Sequence, residues 1–231
     1  MIKAILFDID NTLLDFDSYV KQSMKEGFSE FGIGEYTEES YEIFEKINTE
    51  FWHRIELGTL TYDELLLTRW NTVFSALGLQ GDGVAFEKYF KGRLFNNAIP
   101  IKGANEILDH LKGRYILAVA SNGPLAQQEN RLRIAGMDGY FSKLFVSESI
   151  GHSKPSKQFF EHCLRELNVG KDEAILPEEI LMIGDSLTSD ILGASEFGIA
   201  TCFFDKRGNN DTGQLSPDYV ISELSELKKI L

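Results

Sequence analysis

Residues 4–13 read AILFDIDNTL, and this stretch decides the fold. Its apolar run is typical of a parallel strand that is buried on both faces. Two carboxylates, Asp8 and Asp10, follow at the end of the run, where open α/β sheets bind their ligands. Beside a core these carboxylates would repel each other unless a cation or hydrogen-bond donors compensate them. The stretch therefore predicts a metal site, although the same residues could also cap a turn or a helix.

The composition indicates a globular protein with a sizeable core. The chain has 231 residues, of which 43% are hydrophobic, and its formal net charge is −13. This charge disfavours binding to nucleic-acid polymers and to anionic membranes. The apolar start ends at Asp8 and is too short for a signal peptide or a membrane span, so we expect a cytoplasmic protein. Cys163 and Cys202 show no paired spacing and no nearby His ligands, and we expect reduced packing residues.

Helical signals dominate the first third of the chain after the strand. From Asp17 to about Leu94 the pattern is helical and rich in aromatic residues. Thr37 and Thr61 are expected to cap two of the helices, the second through a capping box with Glu64. The predicted helices cover about 18–31, 38–57, 62–77 and 84–94.

Strand and helix signals alternate from Pro100 onward, which implies βα units and a parallel sheet. The predicted strands are 115–120, 144–146, 180–183 and 200–204, with a weaker candidate at 219–221. The predicted helices are 104–111, 125–135, 157–167 and 189–197. The fold class is therefore α/β, with a doubly wound, Rossmann-like core formed by residues 1–14 and 96–231. An all-α helical-bundle cap, residues 15–95, is inserted after the first strand.

Later strands also end in polar residues that suit phosphate chemistry. The turn Ser121-Asn122-Gly123 precedes a helix near Pro124, and its hydroxyl and backbone N–H groups could hold an oxyanion. Lys154 precedes Pro155, which we expect to start the next helix and to fix the direction of the lysine. Each feature alone is ordinary turn chemistry.

Two more carboxylates, Asp185 and Asp190, follow the strand at 180–183. Together with the other strand ends they offer hard oxygen ligands, a nucleophile and a cation. These are the groups that Mg²⁺-assisted phosphoryl transfer to a carboxylate requires. The combination is far more specific than any single motif.

In order, these motifs resemble the four motifs of the haloacid dehalogenase-like hydrolase superfamily, over essentially the full chain. The helical insert resembles the C1 cap of that family. The matching residues are Asp8-x-Asp10-Asn11-Thr12-Leu13, Ser121-Asn122, Lys154-Pro155 and Gly184-Asp185-x4-Asp190.

The resemblance implies a role for each carboxylate. Asp8 would be the nucleophile that forms an aspartyl-phosphate, and Asp10 the general acid and then the general base. Mg²⁺ would be held by the Asp8 carboxylate, the Asp10 backbone carbonyl and Asp185. Asp190 would be a water-mediated ligand or an orienting group.

The resemblance also implies how the phosphoryl group is bound. Ser121 and the Asn122 backbone N–H would bind its oxygens, and Lys154 would neutralise charge on Asp8 and on the phosphate. Asn11 would shape the turn.

Asp10 and Asp185 favour a phosphatase over the haloacid dehalogenases of the superfamily, which lack the second aspartate of the first motif and the metal. A phosphomutase shares the phosphatase residues and stays open. Phospho-receiver domains use a similar residue set, but they place the acceptor Asp on a middle strand and need no cap. The order of motifs therefore argues against a receiver.

Further similarity to the pyrimidine 5′-nucleotidase branch implies a nucleoside 5′-monophosphate as substrate. The residues concerned are Asn11-Thr12-Leu13, Ser121-Asn122-Gly123-Pro124-Leu125-x2-Gln128-x2-Arg131-Leu132 and Gly184-Asp185-Ser186. A sugar-phosphate or phosphoglycolate phosphatase is the alternative. A small cap favours a small phosphorylated metabolite as the partner, and we expect a monomer or a homodimer.

Selectivity among leaving groups is expected to come from the cap. Phe16 or Trp52 could stack on a base, and His53 or Arg54 could bond to its edge or to a sugar hydroxyl. For Trp52, packing is the favoured interpretation.

Overall fold

The computed structural model describes residues 1–209 and 211–231, and these form two compact units. One unit comprises Met1–Asp15 and Ala98–Leu231, and the other comprises Phe16–Asn97. No helix in the described ranges combines the length and the apolar character that crossing a membrane requires.

The unit Phe16–Asn97 consists of four helices. They are α1 Phe16–Glu30, α2 Glu38–Glu56, α3 Tyr62–Leu77 and α4 Gly83–Phe95. Thr37 and Thr61 begin α2 and α3 as N-caps, and both form capping boxes. Its buried core is aromatic and contains Phe28, Phe44, Trp70, Phe74, Phe86 and Phe90.

The other unit contains one parallel sheet of six strands. The strands are β1 Ala4–Phe7, β2 Ile116–Ser121, β3 Lys143–Val146, β4 Ile180–Gly184, β5 Ala200–Phe204 and β6 Tyr219–Ile221. Their order in the sheet is β3-β2-β1-β4-β5-β6. The predicted α/β class with a Rossmann-like parallel sheet is confirmed, and the strand order reverses beside β1, where such sheets bind ligands.

The sheet is covered on both faces because alternate residues of its strands enter different core clusters. In β1, Ile5 and Phe7 belong to one cluster, and Ala4 and Leu6 belong to the other. The helices of this unit are α5 Ala104–Leu111, α6 Leu125–Ile134, α7 Ser147–Ile150, α8 Lys157–Leu167, α9 Gly193–Phe197 and α10 Leu227–Ile230. Short 3-10 turns occur at Asp138–Tyr140, Pro177–Glu179 and Leu224–Glu226.

Two predictions about helix starts are wrong. Pro155 does not start α8: its peptide bond with Lys154 is cis, and the helix begins at Lys157 after Ser156. The single helix predicted at 189–197 is a π-helix, Leu187–Leu192, followed by α9. The side chain of Ser186 accepts a hydrogen bond from the Ser189 N–H at the start of that π-helix, so the chain turns earlier than the apolar pattern indicates.

The two segments that lead to and from residues 16–97 run side by side within the sheet unit. Leu14 and Pro100 form an isolated antiparallel bridge. The Asp15 N–H donates to the Ile99 carbonyl at 2.7 Å, and the Ile101 N–H donates to the Leu13 carbonyl at 2.9 Å. The sheet unit is thus tied together where the chain leaves it and returns.

Both cysteines are buried free thiols, as expected. Burial raises the pKa of Cys202 to about 12 and also raises the pKa of Cys163 above its usual range. Neither thiol is therefore ionised near neutral pH, which fits packing residues.

Candidate active site

Asp8 lies directly after β1, at the carboxyl edge of the sheet. Its N–H donates to the Ile183 carbonyl of β4 at 2.9 Å, which continues the sheet by one residue. The Asp8 carboxylate is buried, and this burial raises its pKa to about 7 despite the opposing charge of Lys154. A carboxylate in this position needs a cation nearby to stay ionised.

Lys154 provides that charge from the loop before α8. Its side chain is 1% exposed, and its Nζ donates to Asp8 Oδ1 at 2.7 Å and to Asp190 Oδ1 at 2.6 Å. A third hydrogen bond goes to the Ala120 carbonyl at 2.7 Å. Burial alone would lower the pKa of Lys154, but the charges of Asp190 and Asp8 raise it above its usual value. All three ammonium donors have acceptors, so a phosphate oxygen that binds Lys154 would have to replace one of them.

Three carboxylates lie close to one another in this site. Asp8, Asp185 and Asp190 each offer an oxygen, and these oxygens all lie within 4.8 Å of one another. Lys154 contacts two of them, Asp8 and Asp190. Carboxylate oxygens grouped in this way are hard donors of the kind that Mg²⁺ binds, and the residues fit the predicted metal.

Hydrogen bonds engage both carboxylate oxygens of Asp190. Oδ1 accepts from Lys154, and Oδ2 accepts from the Ser186 N–H at 3.1 Å. Gly184 leaves room for this arrangement, since a Cβ there would overlap Asp190 Oδ2. These contacts fit the orienting role among the two that the sequence left open for Asp190.

The carboxylate of Asp10 has hydrogen-bond partners that the three clustered carboxylates are not shown to share. Its Oδ1 accepts from Arg131 Nη1 at 2.6 Å, and its Oδ2 accepts from Gln128 Nε2 at 2.8 Å. The side chain is therefore held by α6. The contact of the Asp10 backbone carbonyl with a metal, which the resemblance implies, stays a prediction.

The motif after β2 is held by its own hydrogen bonds. Ser121 Oγ accepts from the Gly123 N–H at 3.1 Å and from Gln128 Nε2 at 3.0 Å, which leaves the hydroxyl proton to donate. The Leu125 N–H donates to Glu148 Oε2 at 2.9 Å. Two of the N–H groups near the predicted oxyanion site are thus engaged within the chain, whereas the Ser121 hydroxyl keeps a proton that it can donate.

Asn11 occupies the turn after β1 in a left-handed conformation. Its φ is 58°, which Asn tolerates better than most residues. Its side chain accepts from Lys206 Nζ at 2.9 Å, and Lys206 also donates to Asp15 at 3.2 Å. The sequence did not assign Lys206, which follows β5 and brings a further positive charge to the turn.

Gln128 and Arg131 bind Asp10, a predicted site residue. From the sequence they were recognised only as part of a nucleotidase-like run. They stand three residues apart on α6, so they share one face of that helix. A pair of polar residues at this spacing, directly after the Ser121-Asn122-Gly123 turn, is a signal that could have indicated a shared role.

Phe16 and Trp52 lie in the helical unit, and both are partly buried. The Phe16 ring is 6.0 Å from that of Tyr19, and the Trp52 ring is 6.1 Å from that of Tyr62. Trp52 also packs against the small apolar cluster that contains Phe51. Contact of Phe16 or Trp52 with a substrate stays a prediction, and so does contact of His53 or Arg54.

Residues 2–198 match the model of the haloacid dehalogenase-like hydrolases. Over 227 residues the chain is 32% identical to the pyrimidine 5′-nucleotidase PynA of Streptococcus pneumoniae, covering 97% of this chain and 93% of that protein. It is 26% identical over 245 residues to the glyceraldehyde 3-phosphate phosphatase of Methanothermobacter thermautotrophicus, with full coverage of both.

The magnesium-bound structure of the putative HAD-hydrolase YfnB from Bacillus subtilis aligns with a TM-score of 0.88 at 30% identity. That alignment covers 100% of this chain and 98% of YfnB. The L-2-haloacid dehalogenase of Xanthobacter autotrophicus aligns with a TM-score of 0.77 at 19% identity, over 100% and 98% of the two chains. This second likeness concerns the fold alone.

Proposed function

Since the chain belongs to the haloacid dehalogenase-like hydrolase family and is a phosphoric monoester hydrolase, we propose that it hydrolyses nucleoside 5′-monophosphates with Mg²⁺. The reaction passes through an aspartyl-phosphate on Asp8. One observation carries the proposal: two carboxylates two residues apart have different partners. Asp8 faces Lys154, whereas Asp10 faces Arg131 and Gln128. Carboxylates in different surroundings can take different roles in one reaction.

In the first step an Asp8 carboxylate oxygen attacks phosphorus while the bond from phosphorus to the ester oxygen breaks. The ester oxygen takes its proton from Asp10, so the leaving group departs as an alcohol. The Ser121 hydroxyl and the Asn122 N–H bind phosphoryl oxygens, and Lys154 offsets the charge that Asp8 and the phosphoryl group bring together.

In the second step a water oxygen attacks phosphorus and gives a proton to Asp10. The bond from phosphorus to Asp8 breaks, inorganic phosphate leaves and the Asp8 carboxylate is restored. Held by Asp8, Asp185 and the Asp10 carbonyl, Mg²⁺ would supply charge stabilisation of the phosphoryl oxygens.

The activities named for the relatives favour a nucleotide as the substrate. PynA, 32% identical over nearly the whole chain, is named a pyrimidine 5′-nucleotidase, and so is YjjG of Escherichia coli at 28% identity. The glyceraldehyde 3-phosphate phosphatase relative supports a sugar phosphate as the second candidate. A monomer or a homodimer and a cytoplasmic location stay predictions.

A substrate panel tests the proposal. Phosphate release is measured with Mg²⁺ on UMP, dTMP, glyceraldehyde 3-phosphate and phosphoglycolate, and chloride release on 2-chloropropionate. We expect kcat/KM on a pyrimidine nucleotide to exceed that on the other phosphates by about 10-fold or more. The Asp8→Asn variant, prepared identically, controls for contaminating phosphatases.

Each other result has a definite meaning. A preference for glyceraldehyde 3-phosphate or phosphoglycolate would replace the nucleotide with the second candidate. In a separate assay, interconversion of hexose phosphates without net phosphate release would indicate a phosphomutase. Chloride release, or phosphatase activity that survives thorough chelation, would contradict the proposed chemistry.

A further inference from the structure

Two buried side chains of α6, Gln128 and Arg131, hold the carboxylate of Asp10. We propose that they are positioning residues, which fix the orientation of Asp10 and its placement relative to Ser121. The inference rests on the proposed function, since it concerns the group that protonates the leaving oxygen and then accepts a proton from water.

The burial of this pair is unusual for its residue types. Arg131 is 1% exposed, and Gln128 is fully buried. Such side chains lose their hydration on folding and are retained inside only where hydrogen bonds replace it. The Asp10 side chain is 33% exposed. Its carboxylate is therefore anchored by buried donors while part of its surface stays open.

Gln128 connects Asp10 to the phosphate-binding motif. Its Nε2 donates both to Asp10 Oδ2 at 2.8 Å and to Ser121 Oγ at 3.0 Å, while its Oε1 accepts from Arg131 Nη1 at 3.0 Å. The partners fix the direction of the amide, because a flipped amide would place its oxygen against Asp10 Oδ2 and its NH2 group against Arg131 Nη1. One side chain thus sets the separation between the acid/base carboxylate and the phosphoryl-binding hydroxyl.

Gly123 supplies an independent observation for the same arrangement. A Cβ at residue 123 would overlap Gln128 Nε2 and crowd Gln128 Cδ and Cγ. The overlap is with the far end of a flexible side chain, so an alanine here would displace Gln128 without disrupting the backbone. The glycine after Ser121-Asn122 is therefore explained by the space that Gln128 occupies.

Both steps of the proposed reaction depend on the orientation of the Asp10 carboxylate. Proton transfer requires the donor or acceptor within hydrogen-bond reach of the reacting oxygen. In the second step Asp10 has already given up its proton, and an ionised carboxylate between Arg131 and Gln128 can take a proton from water. Without the pair, the Asp10 side chain would sample several rotamers.

The test uses the full chain and two substrates, UMP and p-nitrophenyl phosphate. The variants are Gln128→Ala, Gln128→Met, which fills the space without donors, and Arg131→Met. The matched control is Arg133→Met, since Arg133 lies on the same helix but is exposed.

We expect kcat/KM on UMP to fall by about 10- to 100-fold in the three variants, through kcat more than KM. On p-nitrophenyl phosphate kcat/KM should fall by less than about 3-fold, because nitrophenolate leaves without a proton. Slow hydrolysis of the aspartyl-phosphate should then produce a burst of one nitrophenol per enzyme. The Arg133→Met control should match the wild type.

A double-mutant cycle tests the explanation of Gly123. Gly123→Ala alone should lower kcat/KM on UMP by about as much as Gln128→Ala, because both remove the same hydrogen bonds. When Gly123→Ala is combined with Gln128→Ala, it should have little further effect, since the Gln128 atoms that the new Cβ would overlap are gone. Losses that multiply would contradict the link between Gly123 and Gln128.

Crystal structures of the wild type and of Gln128→Ala give a readout that does not depend on turnover. We expect the Asp10 carboxylate to leave its wild-type rotamer in Gln128→Ala. An unchanged Asp10, or an equal loss of kcat/KM on both substrates, would overturn it. A wild type that hydrolyses no phosphomonoester would contradict the proposed function instead, and the two structures would still decide the positioning role.

Discussion

Asn122 and Lys154 hold each other by a reciprocal pair of hydrogen bonds. The Asn122 amide donates to the Lys154 carbonyl at 3.0 Å, and the Lys154 N–H donates to Asn122 Oδ1 at 2.9 Å. The turn after β2 and the loop before α8 are therefore locked together at the backbone of the lysine that contacts Asp8. Asn122 thus has a structural contribution through its side chain besides the backbone role that the resemblance implies.

Replacing Asn122 by Ala should affect both stability and turnover. The loss of two hydrogen bonds should lower the free energy of unfolding by about 1–3 kcal/mol. Phosphatase kcat should fall by about 10-fold or more, because Lys154 would no longer be fixed against Asp8. Denaturant unfolding and phosphate release measure the two effects. In Asn122→Asp a carboxylate oxygen would face the Lys154 carbonyl without a hydrogen between them, so wild-type stability and turnover in that variant would argue against this account.

Asp8→Asn should abolish turnover and leave the fold intact. The amide keeps the shape of the side chain and an oxygen that can accept from Lys154, but it removes the nucleophile. Because burial already disfavours the charge of Asp8, we expect the melting temperature to be little changed. Acid-quenched protein incubated with labelled substrate should contain phosphoprotein in the wild type and none in the variant. Appreciable residual turnover would exclude covalent catalysis through Asp8.

Asp185→Ala should weaken Mg²⁺ binding. Asp185 lies in the carboxylate cluster, and its removal takes away a hard oxygen ligand. The Mg²⁺ concentration for half-maximal activity should rise by about 10- to 100-fold, and calorimetric titration with Mg²⁺ alone should show the same shift. Asp172→Ala, at an exposed position, is the control. Superimposable titrations of Asp185→Ala and wild type would remove Asp185 from the ligand set.

Phe16→Ala tests whether the helical unit selects the substrate. If Phe16 stacks on a base, kcat/KM on UMP should fall by about 10-fold, the scale of one lost stacking contact, with little change on p-nitrophenyl phosphate. An equal fall on both substrates would instead indicate loss of packing against Tyr19 and Phe90. The selectivity role would then be abandoned.

The sequence predicted the regular elements well where apolar runs end in turn residues. The strand β5 and the helices α5 and α8 have the predicted bounds, because local periodicity determines them. The π-helix Leu187–Leu192 was missed, since it depends on hydrogen bonds that backbone N–H groups donate to the side chains of Ser186 and Asp190. Periodicity carries no information on such bonds.

The candidate site likewise contains contacts that could be predicted from the sequence and contacts that could not. Asp8 and Lys154 could be predicted to meet because both follow parallel strands, whose carboxyl ends share one edge. That Arg131 and Gln128 are buried against Asp10 could not be predicted, since polar residues on a helix usually face solvent. Their burial depends on Asp10, which is more than a hundred residues away along the chain.

The hydrogen-bonded pairing of the segments around Leu14 and Pro100 has an evolutionary consequence. The ends of the insert are held together by residues of the sheet unit, so the insert closes a loop whose ends are already fixed. Doubling the length of such a loop costs only about 0.6 kcal/mol in closure entropy. Recombination could therefore exchange or resize everything between residues 15 and 98 in one event, while the carboxylates at the sheet edge are inherited unchanged.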